Sequence, residues 1–320
     1  MIAGAAAPLW AGLRVAVVIP CWNEAVAIGK VVSDFRAALP DAVIYVYDNN
    51  STDGTAAAAL GAGAVVRRET LQGKGNVIRR AFADVEADLY LLVDGDDTYE
   101  ASSAPAMVRL LVEQRLDMVT GRRMGELAAA RRGHRLGNRA LTGMVRLIFG
   151  DRISDLLSGY RVFSRRFVKS FPALAAGFET ETEFTVHALE LNMPIGEVPT
   201  RYRGRPAGSA SKLRTVSDGL RILRTIVVLV KEERPLQFFT VCGAVLLLLG
   251  LGLGFPLVTE FWRTGLVPRF PTAILATGVV VLSFLSFAAG LILDSVARGR
   301  KEMKRIAYLA VPAVAACDRK

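Results

Sequence analysis

Histidine and cysteine are nearly missing from this chain. In 320 residues there are two histidines, His134 and His187, and three cysteines, Cys21, Cys242 and Cys317. The cysteines form no CxxC pair and show no zinc-ligand spacing, and Cys242 falls inside an apolar run. This argues against a disulfide framework and fits a reducing compartment. Neither histidine lies in a ligand-like pattern. No GxGxxG follows the first strand, where PCWNEA stands instead, so a dinucleotide-binding dehydrogenase is rejected. A GxxxxGK[ST] loop is also absent, and Gly73-Lys74-Gly75 does not replace it. No lysine or arginine precedes Arg14. A secretory signal needs a basic start, so Met1 to Gly12 read as a short lead-in.

Charge is missing from two long stretches. Residues 236–259 and 270–293 contain no charged side chain. Each exceeds the roughly 20 residues needed to cross a hydrocarbon core. Glu260 to Arg269 separates them, which predicts a transmembrane hairpin. Lys231, Glu232, Glu233 and Arg234 precede it, and Arg298, Arg300, Lys301, Lys304 and Arg305 follow it. The linker holds only Arg263 and Arg269 as basic residues. The positive-inside rule therefore puts both termini and the region before the hairpin in the cytoplasm. A buried helical pair in a soluble protein is the alternative, and the tandem spans with basic flanks weigh against it. Leu213 to Val230 carries Leu220, Leu223, Ile226, Val227 and Val230 with Arg214, Arg221 and Arg224 among them. It reads as an amphipathic helix at the membrane surface, the alternative being an ordinary helix packed on the core. The net charge of +10 fits an anionic surface, a phosphate-bearing substrate or nucleic acid. No RRM, KH or helix-turn-helix pattern supports nucleic acid.

Before the hairpin, short β-branched runs alternate with helical stretches. Strands are predicted at 14–19, 43–47, 64–67, 89–93 and 118–121. Helices are predicted at 25–39, 55–60, 77–85 and 177–191, the last carrying Glu181 and Glu183. That alternation predicts a mostly parallel α/β sheet, and ligands bind such sheets beyond the carboxyl ends of the strands. Polar clusters fall there three times: Asn23/Glu24, Asp48 to Asp53, and Asp94 to Asp97.

Asp94-Gly95-Asp96-Asp97-Thr98 follows the strand LYLLV. Several carboxylates at one strand end repel each other unless a cation or water shares them. Their oxygens suit Mg²⁺ or Mn²⁺, which would hold a nucleotide diphosphate and stabilise its departing charge. A solvated acidic turn is the bland alternative. Asp48-Asn49-Asn50-Ser51-Thr52-Asp53-Gly54 offers carboxylate to a base or ribose, or else caps the next helix, and both roles can coexist.

PCWNE, DNNSTDGT, QGKGN, VDGDDTY, TGRR, DLLSGYRVF and GSASKL occur in that order. Together they resemble the successive motifs of family 2 glycosyltransferases of the GT-A fold, over residues 14–230. Within the family the chain resembles the polyprenyl-phosphate transferases, the group of dolichol-phosphate mannose synthase and the bacterial undecaprenyl-phosphate hexose transferases. The resemblance implies a GT-A Rossmann-like α/β sheet with flanking helices, ending in a C-terminal two-helix hairpin. The chain then divides into a lead-in (1–13), a catalytic domain (14–212), an interfacial helix (213–234), the hairpin (235–296) and a cytoplasmic tail (297–320).

The resemblance also implies roles. Pro20, Asn23, Glu24 and Asp48 match nucleotide-binding positions, with Asp53 beside them. Lys74 matches a loop residue near the pyrophosphate. Asp94 and Asp96, with Gly95 between, match the metal-binding DxD pair. Arg123 and Arg161 match catalytic and phosphate-contacting positions, and Ser158 belongs to the acceptor-side SGxR motif. Arg205, Ser211 and Lys212 match a basic loop that closes over phosphates. The usual pattern there is RxxGxSK and this chain reads RPAGSASK, so either Ser209 or Ser211 takes the family position. The expected reaction is inverting hexose transfer from a UDP- or GDP-linked sugar to a polyprenyl phosphate, with Mg²⁺ or Mn²⁺. The expected protein is a multi-pass bacterial inner-membrane enzyme, a homo-oligomer such as a tetramer. Processive synthases carry QxxRW and more spans, and this chain has neither. A family 2 enzyme with a polysaccharide or other non-lipid acceptor, and a non-catalytic scaffold of the same fold, are the remaining alternatives.

Overall fold

The computed structural model describes residues 8–124, 143, 154–174, 177, 179–204, 227–228 and 230–314. The chain divides into two units, Met1–Ile222 with Lys304–Lys320, and Leu223–Met303.

Among the described residues, the first unit is built on a seven-stranded sheet in the order β3-β2-β1-β4-β6-β5-β7. The strands are β1 (Val15–Cys21), β2 (Val43–Asp48), β3 (Val65–Arg68), β4 (Leu89–Leu92), β5 (Met118–Met124), β6 (Arg161–Ser164) and β7 (Ile195–Arg201). Parallel pairs join β1 to β2 and β4, β2 to β3, and β5 to β7. Strand β6 runs antiparallel between β4 and β5. The fold class read from the sequence is the one observed. Strand β1 continues through Pro20: the missing N–H removes one donor, yet the Cys21 carbonyl still accepts from Asn49 N at 2.8 Å. Strand β7 has no sequence signal because Gly196 and Pro199 both argue against a strand. It lies at the sheet edge, where proline is tolerated.

Helices cover both faces. Helices α1 (Ala25–Ala38), α2 (Thr55–Gly61) and α4 (Ala104–Glu113) bury Val31, Phe35, Ala59, Met107 and Leu111 against one face. Helices α3 (Lys74–Asp84), α5 (Arg165–Ser170) and α6 (Thr180–Glu190) bury Phe82, Phe167 and Phe184 against the other. Helix α3 starts at Lys74, three residues before the predicted start. Gly73 turns the chain at φ +132°, and the Asn76 side chain donates back to Gln72 O at 3.1 Å.

His187 sits inside this second layer, edge-on to Phe167 at 5.2 Å, with Nε2 3.0 Å from Ser170 Oγ. Burial, helped by the Lys304 charge, pushes its pKa down to about 3 from an ordinary 6.5. The folded state therefore binds fewer protons than the unfolded chain below pH 6.5, and stability falls as pH drops towards the folded value. The expected loss between pH 7 and pH 5 is about 2 kcal/mol. His187→Gln keeps a partner for Ser170 without titrating. Melts of the two proteins at both pH values should show the acid slope in the wild type and a shallower one in the variant.

The end of the last helix belongs to this unit. Asp117, fully buried, takes bonds from Arg166, Ser164 Oγ (2.7 Å) and Tyr308 Oη (2.9 Å), and Arg166 lies 4.7 Å over the Tyr308 ring. Lys304 pairs with the buried Glu190 at 2.7 Å.

The second unit contains α7 (Pro235–Thr264) and most of α8 (Phe270–Leu309). Both are long and apolar enough to cross a membrane, and fewer than a quarter of the residues in each apolar window are buried. A core helix of a soluble protein would be mostly buried. The two pair as a hairpin. Buried Gly243, Gly250 and Leu257 recur every seven residues on one helix, and Ala276, Ser283 and Gly290 on the other. Ser283 Oγ donates to Gly243 O at 2.8 Å, and Gly290 lies against Phe239, so small residues let the backbones approach. Glu260 and Arg269, 2.8 Å apart, close the turn. The predicted interfacial helix at 213–230 lies almost entirely outside the described residues.

Candidate active site

Parallel register brings the tips of β1, β2 and β4 together: Cys21 stands opposite Asp48, and Val18 opposite Leu92. The polar clusters that follow these strands therefore meet. Asn23, at φ +52°, donates its backbone N–H to Ser51 Oγ at 2.9 Å and accepts from Thr52 N at 2.8 Å. Glu24 is buried, and its N–H donates to Thr55 Oγ1 at 2.9 Å. Asp48 is also buried and accepts from Ser51 N at 3.3 Å. Asp53 accepts from Ala25 N (3.0 Å) and Thr55 N (3.1 Å), tying the starts of α1 and α2 together. Burial opposes the charge on Asp53, but the Thr55 hydroxyl and these backbone donors more than offset it and hold its carboxyl below the usual range. Pro20 pairs with Tyr47 in the adjoining strand.

Asn49 was not singled out by sequence, yet it orders the QGKG segment. Its amide donates to Glu69 O (2.9 Å) and Leu71 O (2.8 Å), and its oxygen accepts from Gly73 N (2.7 Å). The next residue is Lys74. Its ammonium donates to Asp94 Oδ1 at 2.5 Å and to Glu181 Oε1 at 2.6 Å. Burial alone would push the lysine down, but the two carboxylates outweigh it and hold the proton far above the usual lysine range. Gly159 leaves the space for this cluster: a Cβ there would lie 2.5 Å from Asp94 Oδ2.

The three carboxylates of the DGDD run take different partners. Asp94 meets Lys74, Asp97 meets Lys30 at 2.9 Å, and Asp96 accepts from Thr98 N (3.2 Å) and Thr98 Oγ1 (2.6 Å). Gly95 is buried between them. Asp94 and Asp96 supply hard oxygen donors, which suits Mg²⁺ or Mn²⁺. Among the described residues no group of three His, Cys, Asp or Glu is placed to hold an ion. A Mg²⁺ there would be held by one or two carboxylates together with substrate phosphates, as Mg²⁺ commonly is.

The SGYR motif, read from the sequence as acceptor-side, is partly internal. Arg123 forms a two-bond fork with Asp155, Nε to Oδ2 at 2.8 Å and Nη2 to Oδ1 at 2.7 Å, and lies 5.6 Å over the Tyr202 ring. Burial opposes its charge, but Asp155 reverses that and raises the guanidinium pKa. Tyr99 Oη accepts from Gly159 N at 2.9 Å. Ser158 is fully buried and donates to Gly121 O at 2.6 Å. Arg161 is fully buried too. It donates to Ser158 O (3.0 Å), Leu156 O (2.7 Å) and Thr185 Oγ1 (2.9 Å), with Phe184 stacked at 5.6 Å. Burial pulls its pKa down to about 10, so it stays charged at neutral pH. In this arrangement Arg161 braces the segment that carries Gly159. Arg205, Ser209, Ser211 and Lys212 lie outside the described residues. Sequence reasoning gave no role to Asn49 or to Glu181, which it placed on the 177–191 helix. Asp155 was visible as the first residue of DLLSGYR but was given no role.

Residues 16–171 match the family model for glycosyl transferase family 2. Glycosyltransferase AglJ of Haloferax volcanii is 33% identical over 299 residues, covering 92% of this chain and 98% of that protein. A dolichyl-phosphate hexose transferase of the same organism is 29% identical over 220 residues, covering 68% of this chain and 95% of that one. Among solved structures, glucosyl-3-phosphoglycerate synthase of Mycobacterium tuberculosis superposes with a TM-score of 0.58 at 22% identity, covering 69% of this chain and 81% of that one. That synthase has also been solved with Mn²⁺ and uridine-diphosphate-glucose.

Proposed function

This chain belongs to glycosyltransferase family 2, and we propose that it moves a hexose from a UDP- or GDP-linked donor onto a polyprenyl phosphate. The observation that carries the lipid acceptor is the hairpin of α7 and α8, whose apolar side chains, such as Leu248, Phe255, Phe284 and Ile292, face outward. An enzyme held at a bilayer meets a phosphate whose chain is dissolved in it. The dolichyl-phosphate hexose transferase among the relatives supports the same reading. Basic residues on both sides of the hairpin, with few in the turn between, support a catalytic unit on the cytoplasmic face.

The chemistry asks little of a general base. A phosphomonoester has a second pKa near 6, so the lipid phosphate is largely dianionic at neutral pH. One of its oxygens bonds to the anomeric carbon from the face opposite the nucleotide. The bond from that carbon to the diphosphate oxygen breaks, and its electron pair leaves with the nucleoside diphosphate. Configuration inverts in this single displacement. The protein must hold two anions together and stabilise the one that leaves. Lys74 holds Asp94 from the inner side of the site, and Arg123, oriented by Asp155, supplies positive charge on the acceptor side. Asp48, Asn23, Glu24, Asp53 and Pro20 form the nucleotide end, and Ser158 and Arg161 shape the acceptor end from inside. Arg205, Ser211 and Lys212 add phosphate contacts in this reading. A Mg²⁺ or Mn²⁺ held by Asp94 and Asp96 would supply Lewis-acid neutralisation of the departing diphosphate.

The test is a transfer assay with purified protein, radiolabelled UDP- and GDP-sugars, Mg²⁺ or Mn²⁺, and a short polyprenyl phosphate. Label entering the organic phase only when lipid phosphate and metal are both present is the expected result. Donor hydrolysis without lipid product would move the reading to a non-lipid acceptor. No turnover with any donor would favour a scaffold.

A further inference from the structure

Glu181 belongs to no motif, yet it forms the back wall of the acidic site. It lies on α6 and is 5% exposed. One carboxylate oxygen accepts from Lys74 Nζ at 2.6 Å; the other, Oε2, is buried with no partner among the described residues. The same Nζ donates to Asp94 Oδ1 at 2.5 Å. Side-chain exposure falls inward along this line, from 31% at Asp94 to 8% at Lys74 and 7% at Glu181. One ammonium thus serves two carboxylates, and the three groups together carry one net negative charge.

That sharing matters to Asp94. A lone Lys74–Asp94 pair would be neutral, and a carboxylate fully engaged by an ammonium is a poor ligand for a divalent cation. Glu181 competes for the ammonium from behind. It also keeps Lys74 supplied with a counter-ion when Asp94 is engaged elsewhere, which a nearly dry site requires. We propose that Glu181 is a positioning residue for the metal site, acting through Lys74 to leave Asp94 available to Mg²⁺ or Mn²⁺. The effect has one sign: removing the Glu181 charge lowers the pull on a cation and tightens Lys74 on Asp94. This inference rests on the metal reading of the proposed function.

The experiment is Mn²⁺ titration of the full-length protein, with and without UDP or GDP, following free Mn²⁺ by electron paramagnetic resonance. It needs no turnover. Glu181→Gln should raise the apparent Kd for Mn²⁺ about tenfold or more, as expected for removing a unit charge several ångströms from a divalent ion. Glu190→Gln is the control. Glu190 lies on the same helix, is buried and pairs with Lys304, and its loss should leave Mn²⁺ binding unchanged. A folded Glu181→Gln protein with wild-type affinity would overturn the inference while leaving the metal reading standing, and so would an equal shift in Glu190→Gln. A wild type that binds no Mn²⁺ under any of these conditions would remove the metal reading and this inference with it. If Glu181→Gln melts below the assay temperature, Glu181→Met removes the same charge at similar length and gives the same comparison.

Discussion

Asp96→Ala should lower hexose transfer by at least about a thousandfold while leaving the protein folded. In the proposed reaction the departing diphosphate needs its charge neutralised, and a Lewis acid at that point contributes several kcal/mol. A thousandfold loss corresponds to about 4 kcal/mol of transition-state stabilisation. The structural cost is smaller. Asp96 gives up its two bonds from Thr98, one to the backbone N–H and one to the hydroxyl. Losing these costs about 1–3 kcal/mol, within the margin of a typical domain. Transfer measured at saturating donor and lipid, alongside a thermal melt, separates the two effects. Full activity in the variant would dismiss Asp96 as a metal ligand. A loss of activity matched by a collapsed melt would mean that Asp96 acts on the fold.

Lys74→Met should cost stability as well as activity. Methionine fills the space but leaves Asp94 and the nearly buried Glu181 facing each other across the gap that the ammonium held. Removing one partner of a buried ionic group costs about 3–5 kcal/mol, because the remaining charge is left uncompensated. The pH dependence follows from the same contact. The folded pKa of Lys74 lies above its unfolded value of 10.5, so its stabilisation is fully present below that pH. It is lost only as pH climbs from there towards the folded value. The gap between wild type and variant should therefore be constant from pH 7 to pH 9 and shrink above 10.5. Denaturant melts across that range give the answer; a variant as stable as the wild type at neutral pH would mean that the carboxylates find other partners.

Much of the fold was open to reading because polar residues interrupt apolar runs at the strand ends. RVAVVI followed by PCWNE, and LYLLV followed by DGDD, mark where buried backbone gives way to a site. Motif order led to the expectation that Lys74 and Asp94 lie near one diphosphate, and the structure places the two side chains 2.5 Å apart. Orientation was less accessible. Arg161 sits in a motif expected to face phosphate, yet its guanidinium turns inward to carbonyls at Leu156 and Ser158. Glu181 and Glu183 look alike in sequence. Two residues along a helix differ by about 200°, so Glu181 faces Lys74 while Glu183 accepts from Leu174 N at 2.9 Å. The Lys74–Glu181 contact spans 107 residues, and no local pattern encodes it.

The antiparallel strand β6 also sets a timetable for synthesis. Strands β1 to β4 can pair with one another as they leave the ribosome, since β3-β2-β1-β4 form one contiguous side of the sheet. The open edge of β4 then waits for β6, because β5, made earlier, pairs in the finished sheet with β6 and β7 instead. An unpaired strand edge is a template for wrong pairing, and contacts distant in sequence form slowly. The half-made protein thus carries its acidic strand tip next to an unfilled slot, and chaperone need or aggregation during expression should concentrate in the interval before Arg161 is translated. Ribosome-bound chains arrested on either side of β6 would differ sharply in protease resistance for that reason.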